Sequence, residues 1–160
     1  LVNGDLEKVP GAGAISGWQF HGGGGTAGLA DDGDSYLRID AGQWRRHNRF
    51  LVPRDTVGVR FCKTVLVAGA GDSLTLTLHQ GAASRTLHQE DPIALSGWQC
   101  LDVVLLAEER ERGSTLELAL HDDGSPPAAR VGIDDVRLLV GIFFDGFETG
   151  DTSRWSAVFP

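Results

Sequence analysis

Methionine is absent from this sequence, and several other scarcities are as informative. Basic residues are few: 14 Lys and Arg stand against 22 Asp and Glu, a formal net charge of −8. Phosphate binding requires a basic surface, so nucleic acid is excluded as a partner, and an anionic membrane surface with it. No apolar run approaches the roughly 18 residues that a bilayer span requires, so no membrane span is expected. No C-x-x-C pair is present, which leaves zinc unsupported. The nucleophile elbow G-x-S-x-G is missing, since Gly13-Ala14-Ile15-Ser16-Gly17 has the wrong spacing. Gly22 to Gly25 lacks the Gly-Lys-Ser/Thr that would grip a phosphate. Among the acids no pair is marked for glycoside hydrolysis. The expectation is a protein without a catalytic residue, not an enzyme. A chain that opens at Leu1 without Met is expected to be the processed product of secretion.

What is abundant is glycine, 22 residues of 160, and alternation. Leu74, Leu76 and Leu78 alternate with Thr75, Thr77 and His79, and Leu116, Leu118 and Leu120 with Thr115, Glu117 and Ala119. Val57, Val59, Phe61, Val65 and Val67 share one parity, with Arg60, Cys62 and Thr64 on the other. Period two of this kind predicts antiparallel strands with one wet face. Turn signals at Asp31 to Asp34, Gly69 to Asp72 and Asp122 to Pro127 separate the runs. About ten such strands predict an all-β fold, a two-sheet antiparallel β-sandwich. A chain of this length suits one domain, with the sandwich expected over residues 1–140 and a tail or connector strand over 141–160. Ser16-Gly17-Trp18-Gln19 recurs as Ser96-Gly97-Trp98-Gln99, and both Trp are expected in the core. His79 and His88 are expected on the surface of a hairpin. Cys62 and Cys100 are either bridged or two buried thiols; a bridge would close a loop of about 39 residues, worth roughly 4 kcal/mol.

Leu1-Val2-Asn3-Gly4-Asp5-Leu6-Glu7, Gly17-Trp18, Gly97-Trp98 and Ile133-Asp134-Asp135-Val136, in this order, resemble the jelly-roll carbohydrate-binding modules, the galactose-binding-like β-sandwiches. The resemblance covers about residues 1–140 and implies jelly-roll topology. It also implies a structural calcium near the paired termini, with Glu7 and one of Asp134 or Asp135 supplying oxygens. The ending Phe144-Asp145-Gly146-Phe147-Glu148-Thr149-Gly150-Asp151, followed by Trp155, is similar to those of many bacterial secreted proteins. One departure from the family is visible: its modules usually carry several aromatics on one sheet, and here Tyr36 is the one Tyr and Trp44 the one Trp outside the repeats and the tail.

Two segments carry the functional expectations. The only basic cluster, Gln43 to Phe50, places Trp44 among Arg45, Arg46 and Arg49. With Tyr36 these are the candidates for binding a glycan. The tail holds Phe143, Phe144, Phe147, Trp155 and Phe159, rings that would form a sticky patch if left in water. A tail resembling the first strand can pair with a neighbouring copy, and such a head-to-tail contact builds filaments. The first expectation is therefore a secreted structural subunit of an extracellular filament or surface coat, its partners copies of itself. The second is a free-standing glycan-binding module of the extracellular space or cell surface.

Overall fold

The computed structural model describes residues 17–22 and 36–141. Two antiparallel sheets form a jelly-roll β-sandwich. The strands are β1 (Trp18–His21), β2 (Leu37–Asp40), β3 (Gln43–His47), β4 (Phe50–Leu51), β5 (Thr56–Val67), β6 (Ser73–Gln80), β7 (Ala83–Glu90), β8 (Ser96–Val104), β9 (Gly113–His121) and β10 (Arg130–Val140). The larger sheet runs β1-β3-β9-β6-β7, with β4 also paired to β9; the smaller runs β2-β10-β5-β8. Residues between Leu105 and Arg112 hold one short 3-10 turn over Ala107–Glu109.

Alternation does what it predicts in β6, β9 and the middle of β5, while at the ends of β5 Val57 is exposed and Val67 half-buried. Leu74, Leu76 and Leu78 of β6 and Leu116, Leu118 and Leu120 of β9 are buried against Val59, Phe61 and Val65 of β5 and Val131 and Ile133 of β10. Cys62 and Cys100 are directly opposed residues of β5 and β8 and form a disulfide. Their parity puts that bridge on the outer side of the smaller sheet, away from the apolar layer.

The two copies of the Gly-Trp motif part ways. Trp18 is buried and meets His47 edge-on at 5.1 Å. Trp98, expected in the core, is only half-buried, because β8 is an edge strand and the residue has the outward parity of Cys100 and Asp102. One histidine also corrects the expectation. His79 opposes Ser84 and stays on the outer side, as expected. His88 pairs with the inward-facing Leu76 and lies against Phe61, ring centroids 5.5 Å apart.

His88 is thus a half-buried histidine turned toward the apolar layer, 3.9 Å from Glu90, which in turn pairs with buried Lys63 at 2.7 Å. Burial pushes its pKa below the ordinary 6.5; Glu90 opposes that shift and Lys63 adds to it. The unfolded chain therefore takes up this proton at a higher pH than the folded one. Neutral His88 supports the fold above pH 6.5, and that support is lost as pH falls through 6.5 toward the lower folded value. The urea midpoint should drop between about pH 7.5 and pH 5.5, and His88→Gln should flatten that part of the slope. An unchanged slope in the variant would remove His88 from the account.

Candidate functional site

Across the outer side of the larger sheet the registers line up two rows of side chains. His21 opposes Trp44, Trp44 opposes Ala119, Ala119 opposes Thr75, and Thr75 opposes Gln89. One step along the strands lie Gln19, Arg46, Glu117, Thr77 and Thr86 in the same way. Each row crosses four inter-strand gaps, about 19 Å at the usual spacing. The row members are polar except for Trp44 and Ala119, and the small Ala119 leaves room beside the indole.

The rings and charges of this face are held in place. His21 stacks on Trp44 with centroids 5.3 Å apart and planes at 9°. The Arg46 guanidinium lies 4.9 Å from the centre of the Trp44 ring. Arg46 also pairs with Glu117, its Nε donating to Oε2 at 2.8 Å. On its other side Glu117 faces His79 at 3.8 Å. Gln19 donates to Asn48 at 3.2 Å, and His121 meets the Thr75 hydroxyl at 3.2 Å. An aromatic surface beside fixed donors and acceptors suits a ring with an apolar face and a polar rim.

The expected glycan set is divided by the structure. Trp44 and Arg46 share this face. Arg45 does not: in β3 the inward parity belongs to residues 43, 45 and 47, so Arg45 is fully buried between the sheets. Arg49 lies beyond the end of β3, exposed, its guanidinium crossing over Gly113. Tyr36 precedes β2 and lies on the smaller sheet, away from Trp44. The sequence reading did not single out His21, Gln19, Thr75, Thr77 or Glu117 as site residues. Their parity was visible, but no rule of spacing within one strand says which strands become neighbours.

Arg45 serves the site from beneath. Its Nη1 donates to the carbonyls of His21 and Trp44, both at 2.9 Å. Its Nη2 donates to the Arg38 carbonyl at 3.1 Å and to Gln43 Oε1 at 2.7 Å, and the guanidinium lies over the Phe20 ring. Burial pushes its pKa down to about 10, partly opposed by Asp40, so the side chain stays charged at neutral pH. The two strand positions that carry the stacked rings are thus tied to one cation. Arg45→Leu leaves these acceptors without their donor and should cost about 2–4 kcal/mol in urea unfolding. Arg45→Lys, which cannot fork to several carbonyls, should recover only part. A variant as stable as the parent would show that the guanidinium does not brace the rings.

Of the expected calcium ligands, Glu7 lies outside the described residues. Asp134 and Asp135 are both buried in β10, where the register breaks and Asp135 takes a left-handed φ of 45°. The Asp135 amide donates to Asp134 Oδ1 at 2.7 Å, and Asp135 pairs with Arg137 at 3.2 Å. Two buried carboxylates in one bulge suit a hard cation by donor type. A second carboxylate group, Asp72, Asp122 and Asp123, has its oxygens drawn within 4.8 Å. Those oxygens receive the amides of Asp123, Gly124, Ser125 and Ala129, which accounts for the cluster as a clasp on the loop between β9 and β10.

No protein-family model matches this chain, and no curated protein matches it. Solved structures do share its fold. A family 61 carbohydrate-binding module, TmCBM61, solved in complex with β-1,4-galactotriose, superposes with a TM-score of 0.60 at 16% identity, covering 88% of this chain and 97% of that one. The xylan-binding domain of family 22 gives 0.53 at 14% identity, covering 81% and 90%. The K2 cleaved adhesin domain of Lys-gingipain gives 0.60 at 13% identity, covering 86% and 96%. At these identities the likeness establishes the jelly-roll β-sandwich and no shared activity.

Proposed function

We propose that this chain is a non-catalytic glycan-binding module that works outside the cell, and that its sugar site is the outer face of the larger sheet. The observation that carries this reading is the pair of cross-strand rows with the stacked His21 and Trp44 at one end. A pyranose stacks its C–H face on such a ring, and its hydroxyls meet Arg46, Glu117, Gln19, Thr75, Thr77 and Gln89. The Arg46–Glu117 pair has no excess charge, which favours a neutral sugar over an acidic one. The carbohydrate-binding modules among the structural neighbours support the same ligand class. The disulfide supports an oxidising compartment, hence secretion.

The assembly reading comes second. Its connector residues Phe143, Phe144, Phe147, Trp155 and Phe159 lie outside the described residues, and the neighbours named above are binding modules and an adhesin domain. The glycan reading rests on described geometry and stands ahead of it.

Affinity gels containing β-1,4-galactan or xylan test the proposal. The parent protein should be retarded by at least one of them. Trp44→Ala should weaken retardation tenfold or more, and Arg46→Ala about three- to tenfold, a loss of one to two ligand hydrogen bonds. Equal retardation of parent and Trp44→Ala, or none of either, would sink the site.

Calcium belongs to the same reading as a structural ion on one of Asp134 or Asp135, with Glu7 as a further ligand; it would stiffen the bulge of the central strand β10. Its removal by a chelator should lower the melting temperature, and one of Asp134→Asn and Asp135→Asn should abolish the difference. A melting temperature indifferent to chelator leaves these carboxylates without an ion.

A further inference from the structure

The glycan face leaves Trp98 and Tyr36 unused. They meet on the opposite side of the sandwich, ring centroids 5.8 Å apart and planes at 72°. Trp98 stands on β8 and Tyr36 at the start of β2, the two edge strands of the smaller sheet, so both rings lean inward over the central strands β10 and β5. Gly132 and Thr64 lie beneath them. A Cβ at Gly132 would stand 2.9 Å from both Tyr36 Cδ2 and Thr64 Cγ2, so only a glycine lets the tyrosine ring lie this low. The glycine is there for space, since its backbone is not among the left-handed positions. On the other flank the Thr64 hydroxyl donates to the Ser96 carbonyl at 3.1 Å, and the Cys62–Cys100 bridge fastens the same two strands. The aromatic corner is therefore rigid, and both of its rings are half-exposed.

The surrounding charges are paired, with Arg130 and Arg38 sharing Asp40. Arg130 pairs with Asp40 at 2.6 Å, Arg38 with Asp40 at 3.3 Å, Arg60 with Asp102 at 2.6 Å, and Arg137 with Asp135 at 3.2 Å. A face whose ions are engaged with one another holds few free charges for a phosphate or an acidic peptide. What it offers is an angled aromatic surface with polar groups at a distance, which suits a neutral ring-shaped ligand with C–H bonds on one face and hydroxyls at its edge.

The geometry points to a second sugar-stacking site, at Tyr36 and Trp98, that takes one pyranose of a neutral glycan independently of Trp44. It shares its ligand class with the reading above but none of its residues. Because the two faces point in opposite directions, one molecule engages two glycan strands, and the second contact adds avidity on a polysaccharide while adding little on a short oligosaccharide.

The test uses the whole chain, in gels of β-1,4-galactan and of xylan, with thermal unfolding of every variant. Trp98→Ala and Tyr36→Ala should each weaken retardation three- to tenfold. Trp98→Phe, which keeps a ring and guards against a folding defect, should retain most of it. Residual retardation of Trp44→Ala should vanish when Trp98→Ala is added. If Trp44→Ala changes nothing and Trp98→Ala abolishes retardation, the larger-sheet reading fails and this site stands. Retardation unchanged by Trp98→Ala in a normally folded protein, or absent from the parent in both gels, overturns it. A dimer on gel filtration that Trp98→Ala dissociates, with retardation unchanged, overturns it as well and assigns the rings to a contact between copies.

Discussion

Leu74, Leu76, Leu78, Leu116, Leu118 and Leu120 on one sheet meet Val59, Phe61, Val65, Val131 and Ile133 on the other in a single apolar layer. Each of these side chains gains roughly 1.5–3 kcal/mol by leaving water. A strand that slipped by one residue would forfeit all of its share at once, because every side chain would change face. The layer therefore dictates the register of β6, β9, β5 and β10. Their outward residues acquire fixed neighbours as a consequence, which is how Glu117 comes to face Arg46 and Gly132 comes to lie under Tyr36.

The described charged groups in or beside that layer are answered. Arg45 distributes its donors over the carbonyls of His21, Trp44 and Arg38 and the side chain of Gln43. Lys63 reaches Glu90, with His88 beside them. Arg85 pairs with Glu109, whose carboxylate also accepts the Leu106 amide at 2.7 Å. An unanswered charge at Arg45 or Lys63 costs several kcal/mol. Arg45 differs from the other two in its position directly behind the aromatic end of the larger sheet. Its substitution acts on the shape of that surface as well as on stability.

The two outer faces are built by the same device and differ in what they present. The larger sheet offers a long polar array with rings at one end. The smaller offers a compact aromatic corner among ion pairs. Both are parts of rigid strands, so a ligand pays little to order them.

Much of this was legible in the sequence. Alternation announced the strands and their apolar side, glycine and aspartate marked the turns, and the Ile133-Asp134-Asp135-Val136 and Gly-Trp motifs pointed to the jelly roll. The parity of Gln43 to Phe50 already divided Trp44 and Arg46 from Arg45. What parity alone left open is which side is the inside, and there Arg45 was misjudged, since a guanidinium is rarely buried without acceptors that only a neighbouring strand supplies. Trp98 was misjudged for a related reason. Its motif copies that of Trp18, yet whether a ring is covered depends on whether its strand ends up central or at an edge, and that is a property of the assembled sheet. Local spacing thus determined the strands and the periodicity of their faces. Tertiary structure alone decided the neighbours, because cross-strand contacts join residues distant in sequence, His21 to Trp44 and Tyr36 to Trp98, through the order in which the sheets assemble.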